Sequence, residues 1–237
     1  MMRNHNTLIL AAGSSLFSLP DGSKVSKLNF DIASEKLIDR VTDTYRSGNT
    51  FLAVFDKTIK KDEMDKSVTT IPVGNTKGAL ISALIAIRDC DLNLPVFITP
   101  GDALISKKNY EEFRMQALHS NQDISLIVFD SQNDQYSYVR MLDEKLVEVC
   151  EKKVISSKAT AGIFYFKSGR LFIECAEWAI LNNIQTKGVF FLAPSLNYAV
   201  VKGLNPNLFQ IDEEDYYRFS SLDEAVASEK RYKNVSQ

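Results

Sequence analysis

Four stretches of the sequence combine small, cationic and carboxylate residues in ways suited to phosphate chemistry. Leu8-Ile9-Leu10-Ala11-Ala12-Gly13-Ser14-Ser15 is an apolar run ending in small residues that cannot block an approaching ligand. Glycine permits positive φ and close backbone contact, and exposed N–H groups there can hold a base or a phosphate. Taken alone, the run reads equally well as an ordinary strand-to-loop turn. Thr76-Lys77-Gly78-Ala79-Leu80-Ile81-Ser82 places a glycine at a helix start, where free N–H groups and the dipole favour an anion. Gly78 serves equally well as a close-packing residue. Phe97-Ile98-Thr99-Pro100-Gly101-Asp102 is an apolar strand that ends in a carboxylate. One well-placed aspartate is enough to propose a Mg2+ site, because that ion is held by one or two carboxylates together with phosphate oxygens and water. The alternative for Asp102 is a turn or helix-cap role. Glu151-Lys152 precedes the glycine-bearing stretch Thr160-Ala161-Gly162. By itself such a charge pair is usually a solvated edge.

The elements that must position these residues follow from periodicity. Thr7–Ala12 reads as a buried strand breaking into the Gly13 loop. Ser34–Arg46 carries Leu37, Ile38, Val41 and Tyr45 at helical spacing, with Ser34 as N-cap. Thr50–Phe55, Ser67–Val73 and Pro95–Thr99 read as strands, and Lys77–Arg88 as a helix with Leu80, Leu84 and Ile87 on one stripe. Strands alternating with helices imply an α/β fold with a mainly parallel, mixed sheet flanked by helices. Ligands of such sheets bind outside the carboxyl ends of the strands, so the loops after Ala12, Val73 and Thr99 should converge. The second half changes character. Asp123–Asp130, Tyr136–Leu142, Leu146–Cys150 and Thr160–Phe166 are closely spaced strands, with a turn at Asn133-Asp134. A helix over Gly169–Leu181 follows, then Phe190–Val201, a strand near Leu208–Ile211 and a terminal helix over Leu222–Tyr232. The expected organisation is one domain over 1–237 with two regions, about 1–122 and 123–237.

Leu10-Ala11-Ala12-Gly13 followed by Lys27-Leu28 resembles the opening signature of the sugar-phosphate nucleotidyltransferases, of the glucose-1-phosphate thymidylyltransferase-like, capsule-biosynthesis type. Ser26 stands in place of the usual proline. The resemblance implies a Rossmann-like, nucleotide-diphospho-sugar transferase fold. It also implies transfer of a nucleoside monophosphate from a nucleoside triphosphate to a sugar phosphate, with release of pyrophosphate, for surface polysaccharide biosynthesis. By the same match Leu10, Ala11, Ala12, Gly13, Ser14 and Gly78 surround the nucleotide, Lys27 contacts its phosphates and Asp102 binds the Mg2+ cofactor. Tyr138-Val139-Arg140, the Glu151-Lys152 pair and Thr160-Ala161-Gly162-Ile163-Phe164-Tyr165-Phe166 resemble the acceptor half of these enzymes. There Glu151 is expected on sugar hydroxyls, Lys152 on the acceptor phosphate and Gly162 where the sugar packs on backbone. The implied catalytic set is Lys27, Asp102 and Lys152. Two departures stand out. The loop Ser14-Ser15-Leu16-Phe17-Ser18 lacks the arginine that many members carry, and Lys24 and Arg140 are the candidate substitutes. Tyr217 stands where a second metal-binding aspartate is expected, with Asp215 and Asp212 as the nearby carboxylates. Phe190-Phe191-Leu192-Ala193-Pro194-Ser195-Leu196-Asn197 resembles a segment supporting the acceptor side, with its aromatics read mainly as core. The resemblance runs from about Thr7 to Ala227.

Composition limits the other classes. The chain has 237 residues, a formal charge of −2, 45% hydrophobic and 24% charged residues, enough for a buried core and ordinary for a globular protein. Its near-neutral balance argues against a nucleic-acid partner, which requires a basic surface. Cys90, Cys150, Cys175 and two histidines fit neither a zinc site nor a disulfide framework. Met1–Thr7 is polar, without an apolar signal segment, and no stretch is long enough to span a membrane. The expectation is a cytoplasmic enzyme whose partners are a nucleoside triphosphate and a sugar phosphate, with a homo-oligomer left open. Two rivals are a glycosyltransferase of the same architecture and a non-catalytic nucleotide-binding subunit. The first usually places two aspartates around one residue, whereas Ala103 and Leu104 follow Asp102. The missing loop arginine and the open second carboxylate position motivate the second.

Overall fold

Alternation of side chains on one strand builds two cores at once. In β1 (Asn6–Ala11), Ile9 and Ala11 enter one core while Leu8 and Leu10 face the other, because successive residues of a strand point to opposite faces. The computed structural model describes residues 4–13, 16–19, 21–55 and 67–235. After β1, β2 (Leu16–Ser18) and β3 (Lys24–Ser26) form a short hairpin, and β4 (Asp31–Ile32) and β5 (Glu35–Lys36) form another. α1 spans Leu37–Tyr45. Ser34 is therefore not its N-cap. Ala33 and Ser34 both have positive φ, 47° and 72°, the backbone of a tight two-residue hairpin turn, and Lys36 holds the cap position without a side-chain bond.

The chain continues through β6 (Asn49–Val54), β7 (Val68–Pro72), α2 (Ala79–Ala86), β8 (Val96–Pro100), β9 (Ala103–Ile105) and α3 (Lys107–His119). The second half contains β10 (Ile124–Asp130), β11 (Ser137–Leu142), β12 (Lys145–Glu151), β13 (Lys158–Phe166), α4 (Gly169–Leu181), α5 (Asn197–Lys202), β14 (Asn207–Gln210), β15 (Tyr216–Arg218) and α6 (Leu222–Val235). Among the described residues, nine strands form one mixed sheet. β8, β1, β6 and β7 are parallel neighbours, and β13 runs antiparallel to β8. The long β13 joins the halves, pairing β11 through Ala159 and β8 through Phe164–Phe166. α1, α3 and α6 cover one face and α2, α4 and α5 the other. This is the expected mixed, helix-flanked α/β architecture. Each fully buried Leu, Ile or Phe of these cores contributes about 1.5–3 kcal/mol relative to exposure.

Sequence reasoning misses α3. Its buried stripe of Tyr110, Phe113, Ala117 and Leu118 includes Arg114, paired with Glu111, which interrupts the apolar pattern. The available signal is Ser106, whose hydroxyl caps the helix by accepting from the Asn109 amide at 3.2 Å. The stretch Phe190–Val201 becomes helical from Ala193, where a 3-10 turn over Ala193–Leu196 runs into α5. No helix among the described residues is long and apolar enough to cross a membrane.

Candidate functional site

The carboxyl ends of β1 and β8 meet in close contact. Gly101 donates its N–H to the Leu10 carbonyl at 2.8 Å, and a Cβ at Gly101 would lie 2.6 Å from that oxygen. Only glycine lets the two strand ends approach this closely. Beside this junction open two connected lobes. The first, about 270 Å3, is lined by Leu10, Ala11, Ala12, Gly13, Lys27, Gly78 and Asp102, together with neighbouring backbone. The sequence thus brings its nucleotide set to one place, apart from Ser14, which lies outside the described residues. The second lobe, about 230 Å3, is lined by Glu151, Gly162, Phe191, Tyr136, Tyr216 and Arg218 among others. Leu10, Ala79 and Asp102 belong to both.

Lys27 opens a single 3-10 turn, Lys27–Asn29, and is 8% exposed. Its Nζ lies 3.8 Å from Asp102 Oδ2 and 5.6 Å from the centre of the Phe17 ring, so the first hairpin backs it. Burial pulls its pKa below the usual lysine value, Asp102 works against that, and Arg218 adds to the lowering. Asp102 is held through its backbone, whose carbonyl accepts from the Phe219 N–H at 2.9 Å, and its carboxylate is about half exposed, at 45%. A half-exposed carboxylate in a long ion pair retains lone pairs for a divalent cation.

Gly78 caps α2 with φ +118°. Its carbonyl accepts from the Ile81 and Ser82 amides, each at 3.1 Å, and the Thr76 hydroxyl folds back onto it at 3.2 Å. Gly162 lies within β13 at φ +74°, on the wall of the second lobe. Glu151 ends β12 and accepts from the Ser137 hydroxyl. Burial raises its pKa above the usual glutamate value, against opposing effects of Ser137, Lys152 and Arg218. Lys152, at φ +54°, is exposed, and its Nζ rests 5.2 Å above the Phe191 ring. It stands at the rim of the second lobe through Phe191 and is not itself part of the lining.

The raised Glu151 pKa has a definite sign. A carboxyl whose folded pKa is raised favours folding at low pH, and that contribution is lost as pH rises through the folded value. Glu151→Gln should therefore raise the Tm at pH 7, and the gain should vanish below the ordinary carboxyl pKa of about 4.3. Calorimetric unfolding across pH reads this, and a Tm gain that persists at pH 3 would contradict it.

The candidate substitutes for the loop arginine lie elsewhere. Arg140 is paired with Glu148 at 2.6 Å on the β11–β12 ribbon, and Lys24 is exposed on β3. The C-terminal stretch is similarly resolved. Tyr217 is 2% exposed and packs edge-on to Tyr232 at 5.3 Å, while Asp215 accepts from Asn109 Nδ2 at 2.9 Å and Asp212 is exposed. None of them lines either lobe, whereas their neighbours Tyr216 and Arg218 do. Successive residues of the strand point to opposite faces, so Tyr217 turns to Tyr232 of α6 while Tyr216, itself buried against Phe129, and Arg218 reach the wall of the second lobe.

No family model matches the sequence. The bifunctional protein GlmU of Thermodesulfovibrio yellowstonii is 26% identical over 227 residues, 89% of this chain and 48% of GlmU. The chain thus spans about half the length of that curated relative. The structure superposes on the nucleoside-diphosphate-sugar pyrophosphorylase from Vibrio cholerae with a TM-score of 0.70, covering 95% of this chain and 99% of that one at 15% identity. The chain has the nucleotide-sugar pyrophosphorylase fold. The inositol-1-phosphate CTP transferase from T. maritima shares this pyrophosphorylase-type fold, with a TM-score of 0.72, 98% and 96% coverage, and 16% identity. The likeness extends through both halves of the chain, so the two lobes lie within the shared fold.

Proposed function

We propose that this chain transfers a nucleoside monophosphate from a nucleoside triphosphate to a sugar phosphate, giving a nucleotide-sugar and pyrophosphate for surface polysaccharide biosynthesis in the cytoplasm. The observation that carries the reading is the pair of lobes sharing Asp102, with the buried Lys27 beside it. Residues 1–122 supply the nucleotide lobe, and residues 123–237 complete the acceptor lobe. Both relatives with solved structures carry names of enzymes that handle such substrates, and GlmU matches along the same stretch.

In this scheme an acceptor phosphate oxygen attacks the α-phosphorus. A P–O bond forms there, and the bond from the α-phosphorus to the bridging oxygen breaks, so the β- and γ-phosphates leave together as pyrophosphate. No general base is needed, because the attacking phosphate is already ionised near pH 7. Leu10, Ala11, Ala12, Gly13 and Gly78 enclose the nucleotide, Ser14 joins that set by the sequence match alone, and Lys27 steadies the phosphates. Lys152 draws the acceptor anion toward the rim, Glu151 accepts from acceptor hydroxyls and Gly162 leaves backbone open to the acceptor. Mg2+, held by Asp102 and the phosphate oxygens, would supply charge neutralisation at the phosphates. The residues contribute positioning and fixed charge.

Pyrophosphate release measured over a panel of nucleoside triphosphates and sugar phosphates with Mg2+ tests this. Turnover with one pair is the expected result. Tight nucleotide binding with no turnover across the panel would support instead the non-catalytic subunit, which the arginine-free loop favours.

A further inference from the structure

We infer that Arg218 is the residue that grips the phosphate of the acceptor in the second lobe, an assignment that rests on the nucleotidyl-transfer reading for the nature of that substrate. The first observation is the charge of the lining. The second lobe contains two carboxylates, Asp102 and Glu151, and among the described residues Arg218 is the one cation lining it. Without Arg218, the charged groups of the lining itself would be carboxylates alone, a poor seat for a phosphomonoester dianion.

The second observation is how Arg218 is mounted. It ends β15, directly opposite Ala103 in the β9 ladder, so it stands beside the junction that Asp102 forms between the lobes. Its guanidinium lies 5.3 Å from the centre of the Tyr136 ring, and its Nη1 donates to Glu224 Oε1 at 3.4 Å. Glu224 is in turn held by the Ser220 hydroxyl, and its amide donates to the Ser221 hydroxyl at 3.2 Å. A guanidinium has five N–H donors in a planar fork. Among the described residues only the long bond to Glu224 engages one of them through a hydrogen bond. The rest are available to a ligand, in the geometry that suits bidentate phosphate binding.

The third observation is reach. Arg218 shares the second lobe with Glu151 and with Asp102, the carboxylate that also lines the first lobe, and it is paired across the ladder with Ala103, the residue after Asp102. An acceptor phosphate held by Arg218 would therefore face the junction of the two lobes, where its attacking oxygen must lie. Lys152 is exposed over Phe191, outside the lining, and is left with attraction at the rim.

Calorimetric titration with glucose 1-phosphate and with inorganic phosphate tests the assignment on the wild type, Arg218→Gln, Arg218→Lys and Lys152→Gln. Arg218→Gln is expected to bind both anions roughly 10- to 100-fold more weakly, and Lys152→Gln to lose only about threefold, the smaller loss expected of attraction at the rim. Arg218→Lys keeps the charge but loses the fork and should fall between. Unliganded melting curves show whether each variant remains folded. Wild-type affinity in Arg218→Gln, loss confined to Lys152→Gln, or failure of the wild type to bind either anion overturns the inference. Pyrophosphate release by the wild type is read separately. Phosphate binding that depends on Arg218 without any turnover would leave the anion site standing and remove the transferase reading.

Discussion

Asp102→Asn should leave the protein folded and reduce pyrophosphate release by at least roughly 100-fold, equal to about 2.7 kcal/mol of transition-state stabilisation. The fold should survive because the part of Asp102 that holds structure is its backbone carbonyl, bonded to the Phe219 amide at 2.9 Å, while its carboxylate is 45% exposed. The activity should not survive, because this carboxylate is shared by both lobes and, in the proposed scheme, shares a divalent ion with the phosphates. The substitution also acts on Lys27. Asp102 holds the lysine pKa up against burial, so its neutralisation lets that pKa fall further. Residual activity should then decline at lower pH on its alkaline side than in the wild type. Rates against Mg2+ concentration and pH measure both effects. A wild-type rate from Asp102→Asn would remove Asp102 from the mechanism.

Gly78→Ala should damage stability most. A Cβ there would lie 2.4 Å from the Phe190 carbonyl oxygen and 2.7 Å from Val189 Cγ1, at a φ of +118°. The carbonyl cannot yield, because it accepts from the Leu80 amide at 3.2 Å while the Phe190 amide donates to the Lys77 carbonyl at 2.8 Å. Left-handed strain and overpacking together should cost about 2–5 kcal/mol. That corresponds to a fall in Tm of roughly 5–15 °C for a chain of this size. Nucleotide affinity should fall with it, since Gly78 and Ala79 line the first lobe. Gly22 is the control. It also has positive φ, +82°, but a Cβ there meets nothing within 4 Å, so Gly22→Ala should cost about 1 kcal/mol from conformation alone. Equal falls in Tm for the two variants would show that the contact with Phe190 is unimportant.

Both of these positions are legible in the sequence. Asp102 follows an apolar strand and Gly78 opens an apolar helix, so their local patterns announce both the element and the end at which the residue sits. The order of strands and helices is legible for the same reason, because periods of two and 3.6 are properties of short windows. Ser34 shows the limit of that method. A polar residue ahead of an apolar stripe suits an N-cap, yet the backbone there turns left-handed to close a hairpin. α3 shows another, since one buried arginine is enough to hide its stripe.

Local sequence is thus sufficient for the α/β class, for the small-residue loop through Gly13 and for Asp102 as a residue to watch, whereas Lys27 is singled out by the resemblance of the Leu10–Gly13 and Lys27-Leu28 pattern. The Gly13 loop and Asp102 each lie in or next to a run whose burial is decided by its own neighbours. It takes the folded sheet to show that Arg218 lines the cleft while Tyr217 is buried in the core, and that Asp215 is turned toward Asn109. Those outcomes depend on β15 pairing with β9 in one register, with Arg218 opposite Ala103. A one-residue slip would exchange the faces of every side chain on that strand. Register between segments so far apart in the chain is set by the packing of the whole sheet and its helices, and no short window of sequence carries it.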